Sequence, residues 1–181
     1  PNVSGNRDNA NLWWIRKDWL DNLGMEVPAT LDELVKVMYA FAQEDPDGNG
    51  ENDTYGMGLT KSLFGGNVSV TGLAEGMGAY LDGWLETDEG KVYGSIQPEV
   101  KGVLELLAKL YADSVIDREF IVKDASKLNE EIIAGKVGLF SGQHWQAFYP
   151  LADSKNADND AEWIAISIVS ADGSVPKTML N

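Results

Sequence analysis

The stretch Asp45-Pro46-Asp47-Gly48-Asn49-Gly50-Glu51-Asn52-Asp53 constrains this chain more than any other. Pro and Gly interrupt both regular hydrogen-bond ladders, and Asp and Asn bond their own backbone in turns, so the segment is neither helix nor strand. It marks a tight acidic loop that the flanking elements must enter and leave. Asp45, Asp47, Asn49 and Asp53 stand at positions 1, 3, 5 and 9 of an EF-hand-type loop, and Gly50 stands at position 6, where the chain turns sharply. A hard Ca²⁺ ion takes about six to eight oxygen ligands, and alternate residues of a curled loop supply them. Glu51, at position 7, offers its backbone carbonyl. Position 12 is Gly56, so the usual bidentate Glu is missing. The role expected for such an ion is structural. A solvated turn between helix and strand is the ordinary alternative.

Helical spacing dominates the rest of the chain. Leu12, Ile15, Trp19 and Leu23 predict a helix over 11–23 with Gly24 as its cap, with Trp19 in the core and one of Trp13 and Trp14 partly exposed. Thr30 and Glu33 form a capping box for a second helix, whose buried stripe is Leu34, Val37, Met38 and Phe41. A short strand is expected at 55–59, a loop and loose helix at 65–78, and a hairpin over 82–96 turning at Asp88-Glu89-Gly90. Pro98 opens a further helix with Val100, Val103, Leu104, Leu107 and Tyr111 as its core face. A shorter helix over 126–134 stops at Gly135, and a buried strand follows at 136–140. Residues 143–152 read as helical with Pro150 as its break, 154–160 as a polar loop, and 163–169 as a strand apolar on both faces. The tail from Asp172 contains a turn. The fold class is α+β, helix-dominant.

Bulk properties narrow the function. Fourteen basic against twenty-nine acidic residues give a net charge of -15, a field that repels phosphate backbones and anionic lipid, so no nucleic acid is expected as a partner. Without cysteine there is no disulfide framework, thiolate metal site or Cys nucleophile. The chain begins at Pro1 with no signal peptide or lipidation motif, which reads as a piece of a longer protein. No catalytic residues emerge. His144, the only histidine, has no nucleophile elbow near any serine. Glu130 and Glu131 are adjacent on a helix and diverge by about 100°, so they cannot flank one glycosidic bond.

The six tryptophans carry more. Flat aromatic faces suit the C–H faces of sugar rings, and Trp145, Tyr149 and Trp84 fall near loops and element ends. Trp145 is the leading candidate, since it follows an abrupt strand end at Ser141-Gly142-Gln143-His144. Core packing is the ordinary fate of any one of them.

Leu-Trp-Trp-Ile-Arg-Lys-Asp-Trp-Leu-Asp-Asn-Leu-Gly (12–24), Val-Pro-Ala-Thr-Leu-Asp-Glu-Leu (27–34), Asp-Pro-Asp-Gly-Asn-Gly-Glu-Asn-Asp-Thr-Tyr-Gly (45–56) and Ile-Ile-Ala-Gly-Lys-Val-Gly-Leu (132–139) together resemble the extracellular solute-binding proteins of family 1. The likeness is to the large Gram-positive lipoprotein type and the alginate-binding proteins. It implies a two-lobed, periplasmic-binding-protein-like fold, of which residues 1–181 would be a single domain, one lobe or most of one, as an interior stretch of a larger protein. It also implies capture of a small-molecule solute, expected to be oligosaccharide, for the membrane permease of an ABC importer, by a monomeric lipoprotein anchored outside the cell (periplasmic in a Gram-negative one). The family loop implies Ca²⁺ held by Asp45, Asp47, Asn49, Glu51 and Asp53. Thr54 departs from its pattern, which is often acidic at that position. The family also implies an aromatic near the sugar at Trp145. Two other classes stand beside this reading: a carbohydrate-active hydrolase or lyase fragment with a structural calcium, and a dockerin-type module, which would need a second such loop.

Overall fold

The computed structural model describes residues 11–65, 68–88, 90–171 and 173–174. The polar entry at 1–10, Gly66 and Asn67 of the glycine-rich stretch, Glu89 of the hairpin turn, and Asp172 and 175–181 of the tail lie outside the described residues.

The aromatic start of the chain is a strand, β1 (Asn11–Arg16), followed directly by the short helix α1 (Lys17–Asn22). This corrects the single helix expected over 11–23. Ile15 and Trp19 have helical spacing, but Leu12-Trp13-Trp14-Ile15 is an unbroken bulky run that suits a strand buried on both faces. Alternation then sends neighbours to opposite sides. Trp13 and Ile15 join the main core, while Trp14 joins a second cluster with Val68, Leu128, Ile132, Val137 and Phe140. Trp13 is 0% and Trp14 8% exposed, so neither is the partly exposed one that the helical reading required.

β1 is the centre of a three-stranded antiparallel sheet of order β4-β1-β5, with β4 (Leu139–Gln143) and β5 (Trp163–Ile166). Asn11 pairs with Gln143 and Ile15 with Leu139 on one side, and Trp13 pairs with Ile166 on the other. α1 ends in a Schellman motif: the amide of Met25 donates to Leu20 O and that of Gly24 to Asp21 O, with Gly24 at φ 64°. α2 (Leu31–Gln43) carries the expected capping box, the Glu33 amide donating to Thr30 Oγ1 (3.3 Å) and the Thr30 amide to the Glu33 carboxylate (3.2 Å). Its stripe Leu34, Val37, Met38 and Phe41 is buried, and Phe41 meets Trp19 edge to face at 5.2 Å.

Residues 55–59 form no ladder. They make isolated parallel bridges, Tyr55 to Val137 and Met57 to Ile116. α3 (Thr71–Gly76) packs on the sheet through glycine: a Cβ on Gly72 would stand 2.4 Å from Ser141 Oγ of β4. The hairpin is β2 (Trp84–Thr87) with β3 (Gly90–Tyr93). α4 (Glu99–Ala112) follows Pro98, but its buried residues are Val103 and Leu110. Leu104 and Tyr111, expected in the core, are 49% and 41% exposed and line an apolar concavity with Leu63, Phe120 and Ile121. α5 (Ala125–Ile133) is capped by Asp124 and ends before Gly135, at φ 72°. A short 3-10 turn (His144–Ala147) leaves β4, and α6 (Leu151–Ala157) begins after Pro150 rather than breaking there. The helix expected over 143–152 is thus a 3-10 turn followed, after Pro150, by the start of α6, and the loop expected at 154–160 is helical as far as Ala157, because Pro is well placed at the first turn of a helix and poorly placed within one. Among the described residues no helix is long and apolar enough to cross a membrane.

Candidate functional site

The acidic loop begins where α2 ends, and local bonds shape it. Asp45 sits at φ 49°, Gly48 at φ 67° and Gly50 at φ 84°, so the chain curls as the sequence requires. The Asp45 carboxylate accepts the amides of Asn49 and Gly50, each at 3.0 Å. The Asn49 side-chain amide donates to Asp47 Oδ2 (2.9 Å) and Asp53 Oδ1 (3.3 Å), and its oxygen accepts the Glu51 amide (2.7 Å). Asn22 on α1 pins the loop by donating to Pro46 O at 3.0 Å. The Lys136 ammonium, from the turn after α5, contacts Asp53 Oδ2.

These contacts divide the carboxylates. The Lys136 ammonium bonded to Asp53 holds that carboxyl below the usual carboxylate range. Burial pushes Asp47 the other way, helped by the nearby Asp45 and Asp53 carboxylates. Asp47 Oδ1 is buried without a hydrogen-bond partner. A hard, oxygen-seeking cation suits such an atom and such a donor set. The side chains do not already form a coordination shell: among the described residues no three His, Cys, Asp or Glu side chains stand together as a metal site.

Two departures from the EF-hand pattern have physical causes. Thr54 is buried, and its hydroxyl donates to Phe41 O at 2.6 Å, closing the end of α2 instead of facing the loop. Gly56 lies where the chain enters the core; a Cβ there would stand 1.8 Å from Met38 O. No side chain, and so no twelfth-position carboxylate, fits.

The second candidate region leaves β4. Trp145 is half-buried on the 3-10 turn, and its indole donates to Gln143 Oε1 at 2.6 Å. Tyr149 is 45% exposed and Phe148 78%. The structure thus brings Trp145 and Tyr149 onto one short segment. Trp84 stands apart on the hairpin, 71% exposed, with its ring 5.6 Å from that of Tyr93. Beside the turn, Trp14, Trp163, Leu151, Lys155 and Glu162 line a concavity of about 310 Å³ that the sequence reading missed. Trp14 and Trp163 lie on elements far apart in sequence, and they converge because β5 pairs with β1. Glu130 and Glu131 diverge as expected, Glu130 pairing with Lys127 at 2.9 Å and Glu131 with the buried Lys123.

No family model matches the chain. Over 132 residues it is 36% identical to the lipoprotein LipO of Bacillus subtilis, an alignment covering 69% of this chain and 25% of LipO. Over 128 residues it is 34% identical to the polygalacturonan/rhamnogalacturonan-binding protein YtcQ of Bacillus subtilis, covering 71% of this chain and 25% of YtcQ. The Streptococcus pneumoniae ABC-transporter substrate-binding protein FusA, in complex with kestose, shares the fold with a TM-score of 0.76 at 23% identity, over 98% of this chain and 35% of FusA. An EF-hand mutant of FusA in complex with fructo-nystose superposes with a TM-score of 0.75 at 22% identity, over 98% of this chain and 36% of that one. The chain spans about a quarter of the length of the curated relatives it matches.

Proposed function

This chain is homologous to part of the ABC-transporter sugar-binding lipoproteins, and from that premise we propose that the full polypeptide carrying it captures an oligosaccharide and presents it to a membrane permease. Its relatives are substrate-binding proteins of transport, not enzymes, and the hydrolase alternative is set aside on that ground. The observation that carries the reading is the shared fold with kestose-bound FusA, joined to alignments of 36% and 34% with LipO and YtcQ. In this reading the chain is an interior stretch of a two-lobed protein that closes on its ligand. The protein is a monomer anchored outside the cell as a lipoprotein.

Trp145 and Tyr149 stack on sugar rings, and Trp84 contributes from the hairpin. The exposure of Phe148, Tyr149 and Trp84 supports this, because large apolar faces left in water mark binding surfaces. Titration calorimetry of the full polypeptide with fructooligosaccharides and with oligogalacturonides tests it. One class should bind with micromolar affinity, and Trp145→Ala should weaken that affinity about tenfold or more through lost apolar contact. Failure of both classes at millimolar concentration would overturn the oligosaccharide reading. An unchanged Trp145→Ala affinity would remove Trp145 from the site.

Asp45, Asp47, Asn49, Glu51 and Asp53 hold a structural Ca²⁺ in this reading. The buried, unpartnered Asp47 Oδ1 supports it, as does the existence of an EF-hand in FusA. The ion would offset part of the loop's negative charge and fix its curl. A thermal melt of metal-stripped protein should shift upward with millimolar Ca²⁺ and not with Mg²⁺; no shift with Ca²⁺ reduces the loop to an ordinary turn.

A further inference from the structure

We propose that Lys136 is the loop's own counter-cation: a tethered ammonium that a divalent ion must displace from Asp53, and that thereby sets the affinity of the site. The proposal rests on the calcium reading above. Lys136 lies 83 residues from Asp53 in sequence, yet its ammonium contacts Asp53 Oδ2. Its backbone is fixed beside the loop's exit. The Lys136 amide donates to Glu131 O at 2.9 Å, its carbonyl accepts the Tyr55 amide at 2.8 Å, and the next residue, Val137, bridges Tyr55. Only the side chain is free to leave, and at 37% exposure it has water to move into.

The rest of the loop is organised around N–H donors in the same way. The Asn49 side-chain amide donates to Asp47 Oδ2 and Asp53 Oδ1. Between them, Asn49 and Lys136 occupy both oxygens of Asp53 and one of Asp47, and Asp47 Oδ1 is the oxygen they leave unserved. A divalent cation and an ammonium compete for the same carboxylate lone pairs, and their like charges repel at this range. The loop therefore holds its shape without metal at the cost of weaker metal binding. Removing the ammonium reverses both effects.

The experiment is calorimetric Ca²⁺ titration and thermal melting of the wild-type chain and Lys136→Met. The variant should bind Ca²⁺ about threefold to tenfold more tightly, as expected for deleting one nearby like charge at a partly exposed site. Its metal-free melting temperature should fall. A purely structural lysine would lower stability and affinity together. In the Asp53→Asn background, adding Lys136→Met should give a smaller gain, since the displaced contact is already gone and only the repulsion between like charges is left to remove. Lys136→Gln, which removes the charge and keeps a hydrogen-bonding head, serves if the Met variant does not fold. Equal or weaker Ca²⁺ affinity in both Lys136 variants overturns the proposal and leaves the calcium reading standing. Wild type and variants that all fail to bind Ca²⁺ overturn the calcium reading itself, and this proposal with it.

Discussion

In the acidic loop most orienting bonds run between close neighbours: Asp45 to the amides of Asn49 and Gly50, and Asn49 to Asp47 and Asp53. The segment leaving β4 has local bonds of its own, Trp145 to Gln143 among them, but the strand that carries it is held from across the fold. The Trp14 indole donates to Gln143 O from 129 residues away, and β4 itself exists only because β1 pairs with it. The first region is a local electrostatic object; charge, metal and pH tune it by small amounts. The second is an outgrowth of the core, whose geometry is present when the sheet is packed and lost when it is not. The ligands proposed for the two regions match the difference, since a cation answers to nearby oxygens and a sugar ring to a rigidly presented flat face.

The sharpest break in this contrast is at the loop's exit. Gly56→Glu supplies the twelfth-position carboxylate of an EF-hand, and a purely local loop would gain calcium affinity from it. Here the side chain would collide with Met38 O, so the variant should fail to fold, seen as loss of the cooperative thermal transition. A folded variant with tighter Ca²⁺ binding would show the loop to be independent of the core. Next in size, Phe140→Ala removes a fully buried β4 ring that meets Trp163 at 5.6 Å. It should cost about 3–5 kcal/mol in chemical denaturation. It should also disorder the 143–149 segment while the loop amides keep their chemical shifts.

On the loop side the effects are smaller and differ in sign. Asp47→Asn removes a carboxylate that burial makes costly to ionise. It should raise the metal-free melting temperature by about 2 °C and abolish the Ca²⁺-induced shift. A fall in the metal-free melting temperature would show that the buried charge is already compensated. Smallest is the pH response of the metal-free wild type. Because the folded Asp47 pKa is raised, its penalty is present above that value and relieved as pH falls through it. Because the folded Asp53 pKa is lowered, its contribution is present above the ordinary carboxylate value and lost as pH falls through the lowered one. Stability should therefore rise slightly on mild acidification before falling, and Asp47→Asn should lack the rise. Melting curves at closely spaced pH values check this.

What was legible from residues alone follows the same division. The capping box of α2, the Gly24 cap, the hairpin and the curl at Gly50 are written in neighbours a few positions apart, and all are present. Sequence alone reads β1 as helix because a strand buried on both faces has no period of its own; its identity comes from Leu139 and Ile164 across the sheet. Pro150 signals a helix end from one side and a helix start from the other, and only the packing of α6 decides. The residues proposed as ligands of the loop lie together in sequence, so that proposal needs nothing distant. Lys136, which contacts Asp53 from a distant turn, left no local trace. The clustering of Trp14 with Trp163 was equally hidden.

The strand order β4-β1-β5 has a consequence in time. Both strand partners of β1 lie far downstream of it in sequence. During synthesis it must wait, with two tryptophans uncovered, until the ribosome has delivered more than a hundred further residues. Pairings so distant in sequence carry a large loop-closure cost and slow folding. Such a chain spends longer unfolded than one whose neighbours pair in order. That delay leaves Leu12-Trp13-Trp14-Ile15 as the segment that a chaperone would most readily hold meanwhile.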